Sequence, residues 1–161
     1  FQGAASGHPT MSTMHAEDVE TMIKRLETPP ISLSPSLIEI LDTVCIMTQA
    51  KVKNNEVRRL REVAEVIGIG RGLGDVAKNT PFIWEPRTDT FFFKIESKVF
   101  EKIMRNRGLS KEYIEREFRI RSQLLLSMYR RSIFGFKEVQ EIINAYYKTP
   151  KEVMKEFNIT I

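Results

Sequence analysis

The residue patterning of the chain changes near Ser97, and this change restricts the folds open to it. Segments before Ser97 are rich in β-branched residues and are separated by turn signals, which is typical of strands and hairpins. From Ser97 onward, apolar residues recur at helical spacing to the end of the 161-residue chain. We therefore predict an α/β domain over residues 1–96, followed by an all-α subdomain over residues 97–161.

The first predicted hairpin lies in the middle of residues 1–96. Residues 43–52 are β-branched and apolar on both faces, a pattern that favours a central strand. Asn54-Asn55 marks a turn, and residues 57–67 follow it as the return strand. The apolar spacing within residues 57–67 also fits a helix, although the position directly after a turn favours the strand.

A second hairpin is predicted from two short strand patterns. Residues 82–85 and 90–94 flank Pro86-Arg87-Thr88-Asp89, whose composition is typical of a turn. The loop over residues 68–74 contains four glycines but is not followed by the Lys-Ser/Thr pair of a phosphate-binding loop. We therefore predict that this loop connects the two hairpins.

The residues before these hairpins are predicted to hold a short strand between helices. Residues 1–7 are typical of a helix tail closed by a glycine. Residues 10–15 alternate Thr or Ser with Met, which favours a strand, and residues 16–26 follow as a helix. Its apolar stripe comprises Val19, Met22, Ile23 and Leu26. Ser34 is predicted to cap a further helix that runs to about Leu41.

Four helices are predicted after Ser97. The first ends at Gly108, and the second begins after Ser110. The apolar stripe of the second helix comprises Ile114, Phe118, Leu125 and Met128. The last helix opens with Thr149-Pro150-Lys151-Glu152, which fits a capping box with proline at the first helical position.

The positive charge of the chain is concentrated in its second part. The chain carries a net charge of +4, but residues 97–161 hold 14 Lys and Arg against 8 Glu, while residues 1–96 hold 11 against 13 Asp and Glu. A basic helical region can face an anionic partner, either a nucleic acid or a membrane surface. A solvated helical surface is the alternative.

Composition excludes several classes of protein. The single cysteine, Cys45, rules out a disulfide framework and a cysteine-based zinc site. Because Cys45 lies within the apolar run Val44-Cys45-Ile46-Met47, we expect it to be a buried hydrophobic residue. No run approaches the roughly 20 apolar residues that span a bilayer, and we expect no secretory signal because no charged segment followed by an apolar run opens the sequence. These features favour a reducing, cytoplasmic setting.

The two histidines are the first candidates for a functional site. His8 and His15 lie seven residues apart, and on the predicted strand Thr13 and His15 would share one face. A hydroxyl and an imidazole side by side can both donate hydrogen bonds to phosphate oxygens. The alternative is a pair of structural histidines, and a zinc site is disfavoured because no third ligand stands nearby at ligand spacing.

The segment that contains these histidines resembles a known motif. Gly7-His8, then Ser12-Thr13-Met14-His15-Ala16, then a helix that ends in Arg25-Leu26, is similar to the "His box" of the type II/type IV secretion ATPase superfamily. Its members are hexameric RecA-like motors for secretion, pilus assembly, DNA transfer and archaeal swimming filaments. Further segments that resemble the archaeal branch are residues 26–31, 34–37, 57–63, 82–91 and 146–148.

The resemblance implies a fold and a set of roles. Residues 1–96 would be the distal part of a RecA-like ATPase core, and residues 97–161 its helical C-terminal subdomain. His15 would contact the γ-phosphate, with Thr13 lining the same site and His8 supporting the strand. Arg25 matches a helical arginine of the family and is a further nucleotide-site candidate.

The resemblance also implies cofactors and partners for a longer parent protein. The parent would use ATP and Mg²⁺, assemble as a hexameric ring, and work on a polytopic membrane platform protein at the inner face of the cell membrane. This chain contains no Gly-x-x-x-x-Gly-Lys-Ser/Thr loop, and no acidic metal ligand precedes the His box. We therefore expect a C-terminal fragment that binds neither cofactor alone and has no ATPase activity of its own.

Two other functions remain open from the sequence. One is a stand-alone helical module that binds an acidic partner protein, and the other is a basic nucleic-acid-binding domain. Aromatic residues that read bases are usually exposed. Because Phe100, Phe118 and Tyr146 fall on helical apolar stripes, we expect them to pack in a core, and this disfavours nucleic acid as a partner.

Overall fold

The computed structural model describes residues 1–94 and 96–160, and the chain divides into two compact units, Phe1–Lys102 and Ile103–Ile161. The first unit contains an antiparallel sheet with helices, and the second unit is helical. The fold is therefore mixed α/β, as predicted at that level. The assignment of residues 1–96 to a RecA-like core stays a prediction. In the described part of the chain, no helix is long and apolar enough to cross a membrane.

The first unit is built on four strands in the order β1-β2-β3-β4, each antiparallel to its neighbour. Its elements are α1 Gln2–Ala5, α2 Val19–Glu27, α3 Pro35–Ile38, β1 Thr43–Val52, β2 Asn55–Ile69, β3 Val76–Glu85, β4 Thr90–Phe93 and the start of α4 Lys98–Arg107. The core between α2, α3 and the sheet is formed by Val19, Ile23, Leu26, Ile38, Ile46 and Ala64. These contacts give the helices their position on the sheet.

Turn chemistry explains the hairpin of β1 and β2. Val52 pairs with Asn55, and the two residues between them, Lys53 and Asn54, have φ angles of 47° and 67°. Two-residue hairpin loops favour positive φ at both positions because that geometry matches the twist of the strands. The predicted hairpin is confirmed, and β2 is a strand rather than a helix.

Two predictions about β1 are wrong. The strand lies at the edge of the sheet instead of its centre, and Cys45 is exposed instead of buried. Side chains alternate between the two faces of a strand, and only the face with Val44 and Ile46 joins the core. Cys45 and Met47, which is 62% exposed, lie on the other face. Because apolar residues occur on both faces of this strand, its sequence does not show which face is buried.

The predicted second hairpin and the glycine-rich connection are confirmed. β3 and β4 flank the turn that ends at Asp89, whose φ is 52°. The loop between β2 and β3 closes with a hydrogen bond from Gly70 N to Asp75 O of 2.8 Å. Gly74, with a φ of 78°, donates from its amide to Glu27 Oε2 at 2.7 Å, so the loop is attached to α2.

The two helices before the sheet, α2 and α3, differ from the prediction in their bounds. The apolar stripe predicted for α2 is confirmed. The helix starts at Val19 rather than residue 16 because Asp18 caps it, accepting a 2.7 Å hydrogen bond from Thr21 N. α3 ends at Ile38, before the predicted Leu41, and Ser34 makes no side-chain capping bond to it.

The strand predicted over residues 10–15 is absent. Residues 8–16 have no regular secondary structure. A strand requires a hydrogen-bonded neighbour. Among the described residues, no backbone hydrogen bond joins residues 10–15 to any strand. The alternation of Thr, Ser and Met is therefore insufficient by itself to form the strand.

The second unit packs three helices, α5 Lys111–Arg130, α6 Phe136–Lys148 and α7 Pro150–Glu156, after the end of α4. Gly108 follows α4 with a φ of 62°, and the predicted Ser110 cap accepts a hydrogen bond from Tyr113 N at 3.2 Å. Buried side chains of the core are Ile120, Leu124, Met128, Tyr146, Val153, Phe157 and Ile159.

Some details of the predicted helical unit are wrong. Ile120, Leu124 and Met128 form the buried stripe of α5, whereas Leu125 is 59% exposed and Phe118 is 40% exposed. Tyr146 is buried as predicted. The capping box at Thr149 does not form, because its hydroxyl donates to Ala145 O in the last turn of α6 at 3.3 Å.

Candidate functional site around His15

The four candidate residues are all exposed and lie along the segment between α1 and α2 or on α2 itself. His8 follows α1, where its Nδ1 lies 3.0 Å from Ser6 Oγ. Because the predicted strand is absent, His8 contacts the end of a helix instead of supporting a strand. Thr13 and His15 lie in the irregular segment that leads into α2.

Arg25 and His15 are brought together by the fold. The Arg25 guanidinium, in the last turn of α2, donates a hydrogen bond from Nη1 to the main-chain carbonyl of His15. This contact holds the backbone of His15 and leaves its imidazole exposed, with no hydrogen-bond partner among the described residues. Backbone anchoring with an uncommitted side chain is a suitable arrangement for a residue that must contact a ligand.

A second arginine, which the sequence did not single out, holds the same segment. Arg61 donates from Nη2 to the Glu17 carbonyl at 3.0 Å. Its position follows from a bulge in β2, where Ile46 pairs with Glu62 while Met47 pairs with Leu60. Arg61 lies within residues 57–63, a segment that resembles the archaeal branch, but its contact with the Glu17 carbonyl is visible only in the structure.

Charged side chains line a cleft beside the start of α2. The cleft has a volume of about 590 Å³ and is lined by Asp18, Glu20, Thr48, Arg61, Glu62, Lys78, Ile83, Trp84 and Pro86. Lys78 Nζ lies 3.0 Å from Glu20 and 3.6 Å from Glu62. Hydrogen bonds from the Thr21 backbone and side chain lower the pKa of Asp18. These charges are largely paired with one another, so the cleft presents no strongly anionic or cationic surface.

The β3–β4 turn near this cleft is fixed by one carboxylate. Asp89 accepts hydrogen bonds of 2.8 Å from Arg59 Nε and Nη2 and a third of 2.8 Å from Trp84 Nε1. The bond from Arg59, followed by the bond from Trp84, lowers the pKa of Asp89 to about 2. The turn therefore carries an ionised carboxylate at neutral pH.

A buried carboxylate fixes the start of α4. Glu65 on β2 is 2% exposed and accepts hydrogen bonds from the Ser97 hydroxyl and from Asn79 Nδ2, the latter at 2.8 Å. It also accepts from the backbone amides of Lys98 at 2.7 Å and Val99 at 3.3 Å. Burial raises the pKa of Glu65, but the four hydrogen bonds outweigh this effect, so the pKa lies below its ordinary value.

The candidate residues His15, Thr13 and Arg25 all carry hydrogen-bond donors. An imidazole, a hydroxyl and a guanidinium can all donate to phosphate oxygens. A magnesium site requires clustered oxygen ligands, mainly carboxylates. Among residues 1–94 and 96–160, no group of three or more His, Cys, Asp or Glu side chains could hold a metal ion.

This chain is similar to uncharacterized archaeal proteins, but it matches no described protein family. No family model matches this chain. Uncharacterized protein MJ1287 of Methanocaldococcus jannaschii is 30% identical over 128 residues, which cover 80% of this chain and 47% of that protein. Uncharacterized protein MJ0900 of the same archaeon is 30% identical over 152 residues, covering 92% of this chain and 28% of that protein. The chain thus spans less than half the length of either relative.

Proposed function

We propose that this chain is the His-box and C-terminal part of a motor ATPase of the type II/type IV secretion superfamily, from its archaeal branch. The observation that carries the proposal is the anchoring of the His15 main chain by Arg25, within a segment that resembles the His box. The archaeal source and greater length of the two relatives are consistent with it. In this proposal, residues 1–96 are the distal part of a RecA-like core.

His15 and Thr13 would act as sensors of the γ-phosphate. Both side chains are exposed and can donate hydrogen bonds to phosphate oxygens. The hydrogen bond from His15 would exist only while the γ-phosphate is present. Because Arg25 connects the His15 backbone to α2, a displacement of His15 on loss of the phosphate would be transmitted to that helix.

The remaining parts of the nucleotide site would come from other residues of a longer parent protein. A phosphate loop cradles the phosphates, and carboxylates or hydroxyls hold Mg²⁺, when a motor of this class binds ATP. The parent would assemble as a hexameric ring and drive a polytopic platform protein at the inner face of the membrane. The system that it drives, for secretion, pilus assembly or an archaellum, is a separate question.

The coding sequence upstream of Phe1 provides the first test. A Gly-x-x-x-x-Gly-Lys-Ser/Thr loop within that reading frame, followed by an acidic strand end, is the expected result. A reading frame that begins near Phe1, or that encodes no such loop, would contradict the proposal.

The alternative of a nucleic-acid-binding domain is tested separately by salt dependence. Binding that neutralises phosphates weakens steeply as the salt concentration rises. We expect the chain to show no such binding to DNA or RNA at moderate salt. Tight binding with a steep salt slope would favour the alternative over the motor.

A further inference from the structure

A group of exposed apolar side chains lies where α5 ends and α6 begins. Two leucines of this group are in the last turns of α5, and three aromatic residues are at or after its end. We name this group the α5–α6 surface: Leu125 (59% exposed), Leu126 (47%), Tyr129 (68%), Phe134 (65%) and Phe136 (81%). Large apolar side chains that cluster at this level of exposure usually mark an interaction site.

The backbone holds these side chains in a defined arrangement. Ser132, two residues after the end of α5, has a φ of 58°, and Ile133 N donates to Met128 O at 3.0 Å. The chain therefore turns back, and the ring of Phe134 meets that of Tyr129 edge to face with centroids 5.8 Å apart. Phe136 is the first residue of α6. The surface is thus built by regular elements and one tight turn.

The charge around the α5–α6 surface is mainly positive, with one acidic residue, Glu138, whose side chain lies against Gly135 in the first turn of α6. Residues 118–137 contain four arginines and one lysine and no acidic residue. Arg130 adjoins Tyr129, Lys137 adjoins Phe136, and both are exposed. An apolar centre with a cationic edge is complementary to a partner that offers both apolar material and negative charge.

We propose that the α5–α6 surface docks onto an anionic lipid bilayer. Rings that are 65% and 81% exposed protrude from the protein instead of lining a groove, so they suit insertion below lipid headgroups better than capture of a peptide. Arg130 and Lys137 would then lie at the level of the lipid phosphates. Leu125 and Leu126 have no evident role against a nucleic-acid backbone, whereas they add apolar area at a membrane interface. This proposal is independent of the motor function.

Vesicle co-sedimentation of the 161-residue chain tests this proposal. We expect the chain to sediment with vesicles of phosphatidylcholine and phosphatidylglycerol and to remain largely unbound with phosphatidylcholine alone. A Phe134→Ser/Phe136→Ser double variant should bind the anionic vesicles at least about tenfold more weakly, since each aromatic ring supplies much of the buried apolar area. Arg130→Glu should weaken binding and reduce its dependence on salt.

Matched variants elsewhere on α5 serve as controls. Tyr113→Ser and Arg116→Glu replace exposed residues near the other end of the helix and should change vesicle binding less than about twofold. Circular dichroism would check that every variant keeps its helices. Equal loss of binding in the controls, absence of binding by the wild type, or displacement of the wild type from vesicles by single-stranded DNA would overturn the proposal.

Discussion

The Arg25 guanidinium donates a hydrogen bond to the main-chain carbonyl of His15, ten residues earlier in the chain. The bond joins the last turn of α2 to the irregular segment that precedes the helix. Arg61 holds the next part of the same segment through the Glu17 carbonyl. Residues 15–17 are therefore fixed from two elements, although they have no regular secondary structure of their own.

Replacing Arg25 should loosen this segment without unfolding the unit. Arg25→Ala removes a charged hydrogen bond at an exposed position, so we expect a stability loss of no more than about 1 kcal/mol. Cleavage within residues 10–17 by a nonspecific protease should become faster, while amide exchange within β2 and β3 stays unchanged. Lys24→Ala, at the neighbouring exposed position, is the control. Unchanged cleavage in Arg25→Ala would mean that the contact does not order the segment.

The buried Glu65 should be important for the stability of the first unit. Glu65→Gln keeps the size of the side chain but directs an amide group toward the Ser97, Asn79 and backbone donors, so we expect a loss of about 2 kcal/mol at neutral pH. Urea unfolding measures the difference. Glu56→Gln, on the exposed part of the same strand, should change stability by less than about 0.5 kcal/mol.

The effect of Glu65 should also depend on pH. Its folded-state pKa lies below the ordinary value of 4.5, so the ionised carboxylate contributes stability above that pH. This contribution is lost as the pH falls through the folded-state pKa. The difference in stability between wild type and Glu65→Gln should therefore shrink below pH 4.5. A difference that stays constant through this range would argue against the carboxylate as its source.

Asp89→Asn should weaken the β3–β4 turn. The pKa of Asp89 falls from 3.8 to about 2 because Arg59 and Trp84 donate to the ionised form. We therefore expect a lower urea midpoint for Asp89→Asn at neutral pH, with the difference fading only as the pH falls from 3.8 toward 2. Trp84 fluorescence provides the measurement, since the indole donates to Asp89. Equal midpoints at neutral pH would contradict this role.

A glycine pair in the β2–β3 loop allows a matched comparison. Gly74 has a φ of 78°, and a Cβ there would lie 3.0 Å from the Glu20 carbonyl oxygen of α2. Gly74→Ala should therefore cost about 1–3 kcal/mol in unfolding free energy. Gly72→Ala meets only an ordinary contact of 3.7 Å with Asp75 and should be nearly neutral. Similar losses of unfolding free energy in the two variants would show that the close packing of Gly74 against α2 does not contribute to stability.

The parts of the fold that depend on local chemistry were predictable from the sequence. The hairpins, the glycine that follows α4, the Ser110 cap and the stripe of α2 all arise from nearby residues. The strand over residues 10–15, the burial of Cys45 and the burial of Leu125 failed because each depends on what covers the segment. The local sequence does not show which other part of the chain will pack against a segment.

The candidate site was predictable only in part. His8, Thr13, His15 and Arg25 could be named from the sequence, but the contact between Arg25 and the His15 backbone could not. The sequence does not indicate the role of Arg61, because its position depends on a bulge in the strand pairing. The sequence does not indicate the role of Glu65, because a lone glutamate in a strand usually faces solvent and its four donors come from two distant parts of the chain, Asn79 and residues 97–99.

The most direct test of the central claim is ATP turnover by the longer protein that contains this chain. His15→Ala should lower kcat by about 100-fold, the typical cost of removing one donor to a developing charge. Met11→Ala, at a fully exposed position in the same segment, should leave turnover unchanged. Full turnover in His15→Ala, or a longer protein with no Mg²⁺-dependent ATPase activity at all, would contradict the assignment of His15 as a phosphate sensor.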